Sequence, residues 1–289
     1  MRRLVLAAVV AVMAQGAQAA DLPDLSDLPI LRGGFSDGLS RSSVNWQGAY
    51  VGGQFGYSSG TMDFTKATSS LMQSVFRNTT LEEYSQISLL GKSQPNGTSF
   101  GGFVGYNAQW DDVVLGIEAN YSRLSGFSGG SQASYGPVAT GKPCGTDSAV
   151  DTCSIILGIN GSASAKVTDV MTLRGRAGWA IDNFLPYMFG GLAIGRADIY
   201  RTVVPNVVGQ HVASDGSVPT YYRPLSQFQT ASDGGGGNYM YGFTAGIGLE
   251  AMLFGNVFVR GEYEYVKFSK IKDIDIQINT VRAGVGYKF

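Results

Sequence analysis

One histidine and two cysteines are all the soft metal-binding chemistry that this 289-residue chain contains. That is too little for a His/Cys metal site, so no metal ligands are expected. His211 is followed by Ser214 and Asp215, but Ser and Asp are abundant in any polar stretch, and the spacing matches no nucleophile motif. No catalytic residue and no cofactor site is therefore assigned. The glycine run "DGGGGN" at Asp233–Asn238 lacks the Lys-Ser/Thr of a phosphate loop and reads as a flexible loop. Charge is scarce as well: 15% of residues are charged, against about 25% in ordinary soluble domains, and the net charge is −1. No basic cluster is present, which excludes nucleic acid as a partner. Nor does any stretch resemble a transmembrane helix.

Glycine, by contrast, is plentiful, at 41 residues, about twice the usual share. Glycine is poor in helices and costs entropy in strands, so the excess points to close packing or many turns. Fifteen Tyr and fifteen Phe favour strands. The opening "MRRLVLAAVVAVMAQGAQAA" has Arg2 and Arg3, an apolar stretch from Leu4 to Ala14, and Ala17-Gln18-Ala19. That is the layout of a signal peptide, expected over residues 1–19 with Ala20 as the alternative cleavage position, and it implies export. No Cys lies near the cleavage site, which argues against a lipoprotein. Cys144 and Cys153 sit in a Gly/Ser/Asp-rich stretch. In an oxidising compartment they are expected to pair, stapling a short loop by about 2–3 kcal/mol; two free thiols are the alternative, since sequence cannot fix their geometry.

From residue 46 onward an alternation of period two recurs. "MTLRGRAGWA" sets Met171, Leu173, Gly175, Ala177 and Trp179 against Thr172, Arg174, Arg176 and Gly178. "FTAGIGLEA" sets Phe243, Ala245, Ile247 and Leu249 against Thr244, Gly246, Gly248 and Glu250. "VFVRGEYEY" and "VRAGVGYKF" behave alike, and eight such segments appear in all. "PYMFGGLAIG" is apolar on both sides. Short connections at Asp111-Asp112, Asp182–Leu185 and Phe254–Asn256 alternate with long polar ones at about 58–99, 125–165 and 197–239, and a moderate one near 267–278. Strands of about 10–11 residues at about 3.3 Å rise, tilted about 40°, span some 25–28 Å. The asymmetry and the length are those of an all-β, eight-stranded antiparallel up-and-down transmembrane β-barrel with long extracellular loops. Trp110, Tyr57, Tyr121, Trp179, Tyr187, Tyr263, Tyr265, Tyr287 and Phe289 are expected in aromatic girdles at the strand ends.

The segments "NWQGAYVGGQFGY", "VVLGIEANYS", "TLRGRAGWA", "PYMFGGLAIG", "YGFTAGIGLEA", "VRGEYEYVKFS" and "TVRAGVGYKF" resemble the small outer-membrane β-barrel proteins of alpha-proteobacteria. These are the porin-family or outer-membrane immunogenic proteins, in the wider OmpA-like eight-stranded group. The resemblance covers all eight strands but not the long loops or residues 20–45. It implies residence in the Gram-negative outer membrane among its lipids. It also implies insertion by the barrel-assembly machinery, with Phe289 as the assembly signal.

With the apolar parity facing lipid, Glu118, Asn120, Arg174, Arg176, Glu250, Arg260, Glu262, Glu264, Arg282 and Lys288 point inward. Buried charges must pair. Arg174 and Arg176 are expected to face Glu118, and Arg260 and Glu262 to lie between Glu250 and Arg282. Eight strands leave room for side chains or one small ligand, whereas water-filled porins use about 16–18. A largely filled core serving envelope integrity and surface interaction is therefore expected, with an extracellular ligand possible at the long loops. A narrow low-conductance porin is the alternative, and a barrel-embedded lipid-modifying enzyme a second. Residues 20–45 read as a periplasmic tail, or else a plug or docking segment; residues 46–289 are the barrel. In the first loop "TLEEYSQISLL" is expected to form a short helix with a capping box from Thr79 to Glu82.

Overall fold

The computed structural model describes residues 44–140, 151–213, 221–225 and 227–289. The signal segment, nearly all of the tail, Cys144, Ser214 and Asp215 lie outside the described residues. Cys153 and His211 are placed by backbone alone, opposite each other on neighbouring strands.

Eight long strands make a closed antiparallel ring: β1 (Gly48–Asp63), β3 (Asn96–Trp110), β4 (Val113–Ser125), β6 (Asp151–Trp179), β7 (Phe184–Ala213), β9 (Ala231–Phe254), β10 (Val257–Phe268) and β11 (Asp275–Lys288). Each pairs with its successor in that order, and β11 closes on β1 with Tyr50 opposite Lys288 and Asp63 opposite Asp275. Closure leaves the ring without an edge, which a strand wall in hydrocarbon requires. At one end the connections are tight turns, where Asp111, Asp182 and Gly255 take positive φ of 51°, 49° and 55°. Asp and Gly tolerate that left-handed conformation at low cost.

The other end departs from the expected loops. The wall strands do not stop at the membrane: β6 runs for 29 residues, β7 for 30 and β9 for 24. At about 3.3 Å per residue β6 is about 95 Å long. β5 (Ser128–Ala139) continues β4 beyond Gly126 and pairs with the upper part of β6, and β8 (Tyr221–Pro224) adds to β7. The stretches near 125–165 and 197–239 are thus largely sheet, and Asp233–Asn238 lies within β9 rather than in a flexible loop. The segment between Asp63 and the short β2 (Lys92–Ser93) holds α1 (Ser69–Phe76) and a 3₁₀ turn over Glu82–Gln86. The expected helix is therefore only this 3₁₀ turn, and α1 precedes it. The capping box does not form: Glu82 accepts from the Asn78 amide at 3.2 Å, while the Thr79 hydroxyl donates to the Phe76 carbonyl at 2.6 Å. The connection after β10 shrinks to residues 269–274, with Lys272 and Asp273 at φ 48° and 60°.

Polarity is inverted relative to a soluble protein. Val285 and Leu249 are 56% and 47% exposed, whereas Arg282 and Glu250 are 4% and 1% exposed. On β3 the outward row runs Phe100, Val104, Tyr106, Trp110. Ten residue steps on a strand tilted about 40° give about 25 Å, the height of a membrane's apolar belt. Trp110, Trp179, Tyr287 and Phe289 border that belt at the turn end, and Tyr57, Tyr121 and Tyr263 stand outward towards the other end. Tyr187 does not join them. It is buried, because the even-numbered Met188, Leu192 and Ile194 face outward on β7. The two apolar faces of this strand hid that choice from sequence.

Glycine explains how so narrow a ring holds aromatic rings. Five inward aromatics lie directly opposite a glycine on the next strand: Tyr50 and Gly105, Phe103 and Gly52, Tyr187 and Gly248, Phe189 and Gly246, Phe258 and Gly286. A β-carbon on any of these glycines would enter the ring that covers it. Each ring shields backbone that glycine leaves bare, a cross-strand pairing that also pins register.

Candidate functional site

The interior is stacked in layers. At the turn end Trp46, Tyr50, Phe103, Leu185, Tyr187 and Phe258 form an aromatic floor. Trp46 is anchored there by its amide donating to Gln109 Oε1 at 2.6 Å. At the far end Met62, Phe64, Phe127, Val167, Phe268 and Ile276 form an apolar roof. Above it α1 lays Met72 and Phe76 against Ile155, Leu157 and Val203 of the extended sheet.

Between floor and roof lie the charges. Glu118, Glu250, Glu262, Glu264, Arg174, Arg176, Arg260 and Arg282 are all buried, four acids against four bases. Alternation places them: each sits on the inward parity of β4, β6, β9, β10 or β11. Glu118 is the hub. It accepts from Arg174 Nη2 at 2.6 Å, Arg260 Nη1 at 2.9 Å, Tyr50 Oη at 2.8 Å and Arg176 Nη1 at 3.4 Å. Arg174 also reaches Glu262 at 2.7 Å and Glu264 at 3.4 Å. Arg282 pairs with Glu262 at 2.8 Å and closely with Glu264. Tyr187 donates a short hydrogen bond to Glu262, and Thr244 donates to Glu264 at 2.8 Å. Stacking completes the packing: the guanidinium of Arg260 lies 3.3 Å from the Phe103 ring centre, Arg174 3.9 Å from Phe189, and Arg176 3.9 Å from Tyr187. A planar cation over a ring face is attractive and fills volume.

One expected partnership is different. Glu250 and Arg260 are neighbours in register, yet Glu250 pairs with Arg176 at 2.8 Å, and Arg260 reaches Glu118 and Glu262 instead. Arginine side chains are long enough to cross the lumen, so register alone does not choose the partner. Sequence reasoning also passed over Tyr50, Gln54 and Tyr187 as members. Gln54 accepts from Arg260 Nη2 at 2.7 Å and donates to Asn120 at 2.8 Å and Ser122 at 2.9 Å. The parity of Tyr50 and Gln54 on β1 was a usable signal. Lys288 is at the rim, donating to the Gln47 carbonyl at 3.1 Å. Phe289 is exposed, its amide donating to the Ala49 carbonyl at 2.8 Å. The lumen retains a cavity of about 20 Å³ bordered by Ser58, Ser99, Asn120, Thr172, Glu264 and Arg282, room for about one water.

A second cluster ties the extended end together. Arg201, buried on β7, donates to the Ala67 carbonyl at 2.9 Å, to Ser70 Oγ at 3.1 Å and to the Lys272 carbonyl at 3.0 Å, and pairs with Asp233 on β9. Lys272 Nζ donates to Asp233 at 2.8 Å. Hydrogen bonds from Lys272 and then Arg201 hold the Asp233 carboxyl below the usual carboxylate range.

Comparison with known proteins agrees with this architecture. The family described as "Outer membrane protein beta-barrel domain" matches residues 4–289. The "25 kDa outer-membrane immunogenic protein" of Brucella ovis is 25% identical over 202 residues, covering 70% of this chain and 69% of that protein. The "22 kDa outer membrane protein" of Rhizobium leguminosarum bv. viciae is 29% identical over 203 residues, covering 66% of each. Among solved structures, Neisserial surface protein A aligns over 84% of this chain and all of its own, with 13% identity and a TM-score of 0.34.

Proposed function

Because the chain belongs to the outer membrane protein beta-barrel domain family, we propose that it is a closed barrel whose filled interior stiffens the envelope and whose extended sheet is presented for surface interaction. The tight turns then face the periplasm and the long strands face outward. The supporting observation is the stack of aromatic floor, neutral charge layer and apolar roof, in which the cavity beside Glu264 and Arg282 has room for about one water. No step of this reading needs a catalytic group. Planar-bilayer recording tests it: the purified barrel should give no steady single-channel openings, and reproducible unitary currents would overturn it.

A narrow, low-conductance porin is the second reading. It is favoured by the polar border of the small lumen cavity, which marks where a water path would begin. The same recording separates the two. We further propose that β11 together with Phe289 just after it, whose ring stacks edge-to-face on Tyr287 at 5.2 Å, is the segment that the barrel-assembly machinery reads. Replacing both by Ser should slow insertion in an assembly assay while leaving detergent refolding intact.

A further inference from the structure

One outward stripe of the barrel changes chemistry in three steps. Its lowest zone is the apolar belt of β4, β6 and β7, with Ile117, Leu173 and Leu192 facing lipid. The next is a row of bases. Arg123 on β4 is directly opposite Asp169 on β6, and Asp169 is directly opposite Arg196 on β7. The two arginines are thus about 10 Å apart. Lys166, three residues further along β6, is also outward and exposed. None of the three bases forms an ion pair among the described residues, in contrast to the ion-paired arginines of the interior. The two acids on this face lie opposite these bases in register without closing an ion pair: Asp169 accepts from Tyr121 Oη at 2.6 Å, and Asp198, opposite Lys166, accepts from the Gly237 amide at 2.8 Å. Three bases against two acids leave the row positive. The outward positions of the other five wall strands carry one base, Lys267, among the described residues.

Above the bases lies a third zone, built on the upper sheet of β5, β6 and β7. Ser164 is flanked in register by Gly130 and Tyr200, and Ser162 by Gln132 and Thr202. These residues line shallow, contiguous grooves. Tyr200 is 56% exposed and stands four residues beyond Arg196, about 10 Å further from the belt. Small hydroxyl and amide side chains beside one open aromatic face suit a neutral sugar, whose C–H face stacks on the ring while its hydroxyls exchange hydrogen bonds.

We propose that this stripe is a docking face for one phosphorylated glycolipid of the outer leaflet, with acyl chains on the belt, phosphate at Arg123, Arg196 and Lys166, and sugar on the groove beside Tyr200. The occupant follows from continuity: the three zones occur along the same strands in the order in which a membrane-embedded glycolipid presents its parts. The face looks sideways over the leaflet rather than up into the medium. The proposal depends on the outer-membrane location and is independent of whether the barrel conducts.

The test is native mass spectrometry of the full barrel, released from detergent after titration with rough-type lipopolysaccharide. Lipid A, dephosphorylated lipopolysaccharide and the detached core oligosaccharide serve as comparison ligands. One lipopolysaccharide per barrel is expected, held about tenfold more tightly than the dephosphorylated form and less tightly as salt rises. The combined variant Arg123→Gln, Arg196→Gln, Lys166→Gln should remove that phosphate dependence, while Lys267→Gln leaves it unchanged. Tyr200→Ser should leave lipid A binding as it was and lose the preference for the sugar-bearing form. Heat-modifiable mobility checks that each variant is folded, and the dephosphorylated-lipid comparison on the unaltered barrel stands whatever the variants do. Equal affinity for phosphorylated and dephosphorylated lipid, an unaffected triple variant, or competition by the detached oligosaccharide as strong as by the lipid would each overturn the assignment.

Discussion

Glu118→Gln is the sharpest test of how the interior is held. The substitution keeps shape and volume but removes the charge that three arginines share, at 2.6, 2.9 and 3.4 Å. Four bases would then face three acids in a layer whose cavity beside Glu264 and Arg282 has room for about one water. A charge contact near 2.8 Å at an effective dielectric of about 20 amounts to about 6 kcal/mol. Rearrangement towards Glu262 and residual hydration offset much of it, and removing one partner of a buried pair costs about 3–5 kcal/mol. With a urea slope of about 2 kcal/mol per M, the unfolding midpoint should fall by about 2 M. The assay is urea unfolding in phospholipid vesicles, followed by the fluorescence of Trp46, Trp110 and Trp179 and by gel mobility without boiling. Adding Arg260→Met restores neutrality by deleting the base whose nearest carboxylate is Glu118, so the double variant should be less destabilised than the two singles added together. A midpoint unmoved by Glu118→Gln, or strict additivity in the double variant, would show that the layer is not a coupled network.

Other outcomes test the remaining parts. Gly248→Ala should cost about 1–3 kcal/mol by driving its β-carbon into the Tyr187 ring, and next to nothing once Tyr187 is Ala; paired urea curves decide it. The Asp233 carboxyl titrates below its unfolded value, near 3.9, so its contribution is complete at pH 5–7 and is lost as pH falls through the lower folded value. Hydrogen exchange at Ala67–Ser70 should accordingly stay protected at pH 5 and open only as pH falls below the ordinary carboxylate range, and Asp233→Asn should open it already at pH 7. Spin labels at Val285 and Leu249 should relax with lipid-soluble oxygen, and labels at Arg282 and Glu250 should not; the reverse pattern would invert the barrel.

Parity was the legible part of this fold. Glu118, Arg174, Arg176, Glu250, Arg260, Glu262, Glu264 and Arg282 each fall on the polar side of an alternating segment, and all are found buried in the lumen. The extended sheet was not legible. Ile155, Leu157, Ile159, Ala163 and Ala165 do occupy alternate positions, but Ile156 breaks the polar side, Ser, Gly and Ala dominate beyond it, and that composition reads as loop. Only the packing of α1 and the residues around it on the inner face makes it a strand. Tyr187 failed for a related reason: with Met188, Leu192 and Ile194 on the other face, hydrophobicity could not rank the two sides, and Gly248 opposite decided the matter.

The amino-acid order by itself thus determined which side of every wall strand except β7 meets lipid and which end carries tight turns, because a strand's two faces alternate strictly and Asp and Gly mark the turns. Tertiary structure alone decided the cross-lumen pairs, Arg176 with Glu250 and Arg260 with Glu118, and how far the strands rise above the membrane. Those outcomes depend on groups brought together across a lumen or against α1, at distances that neither spacing along the chain nor cross-strand register encodes.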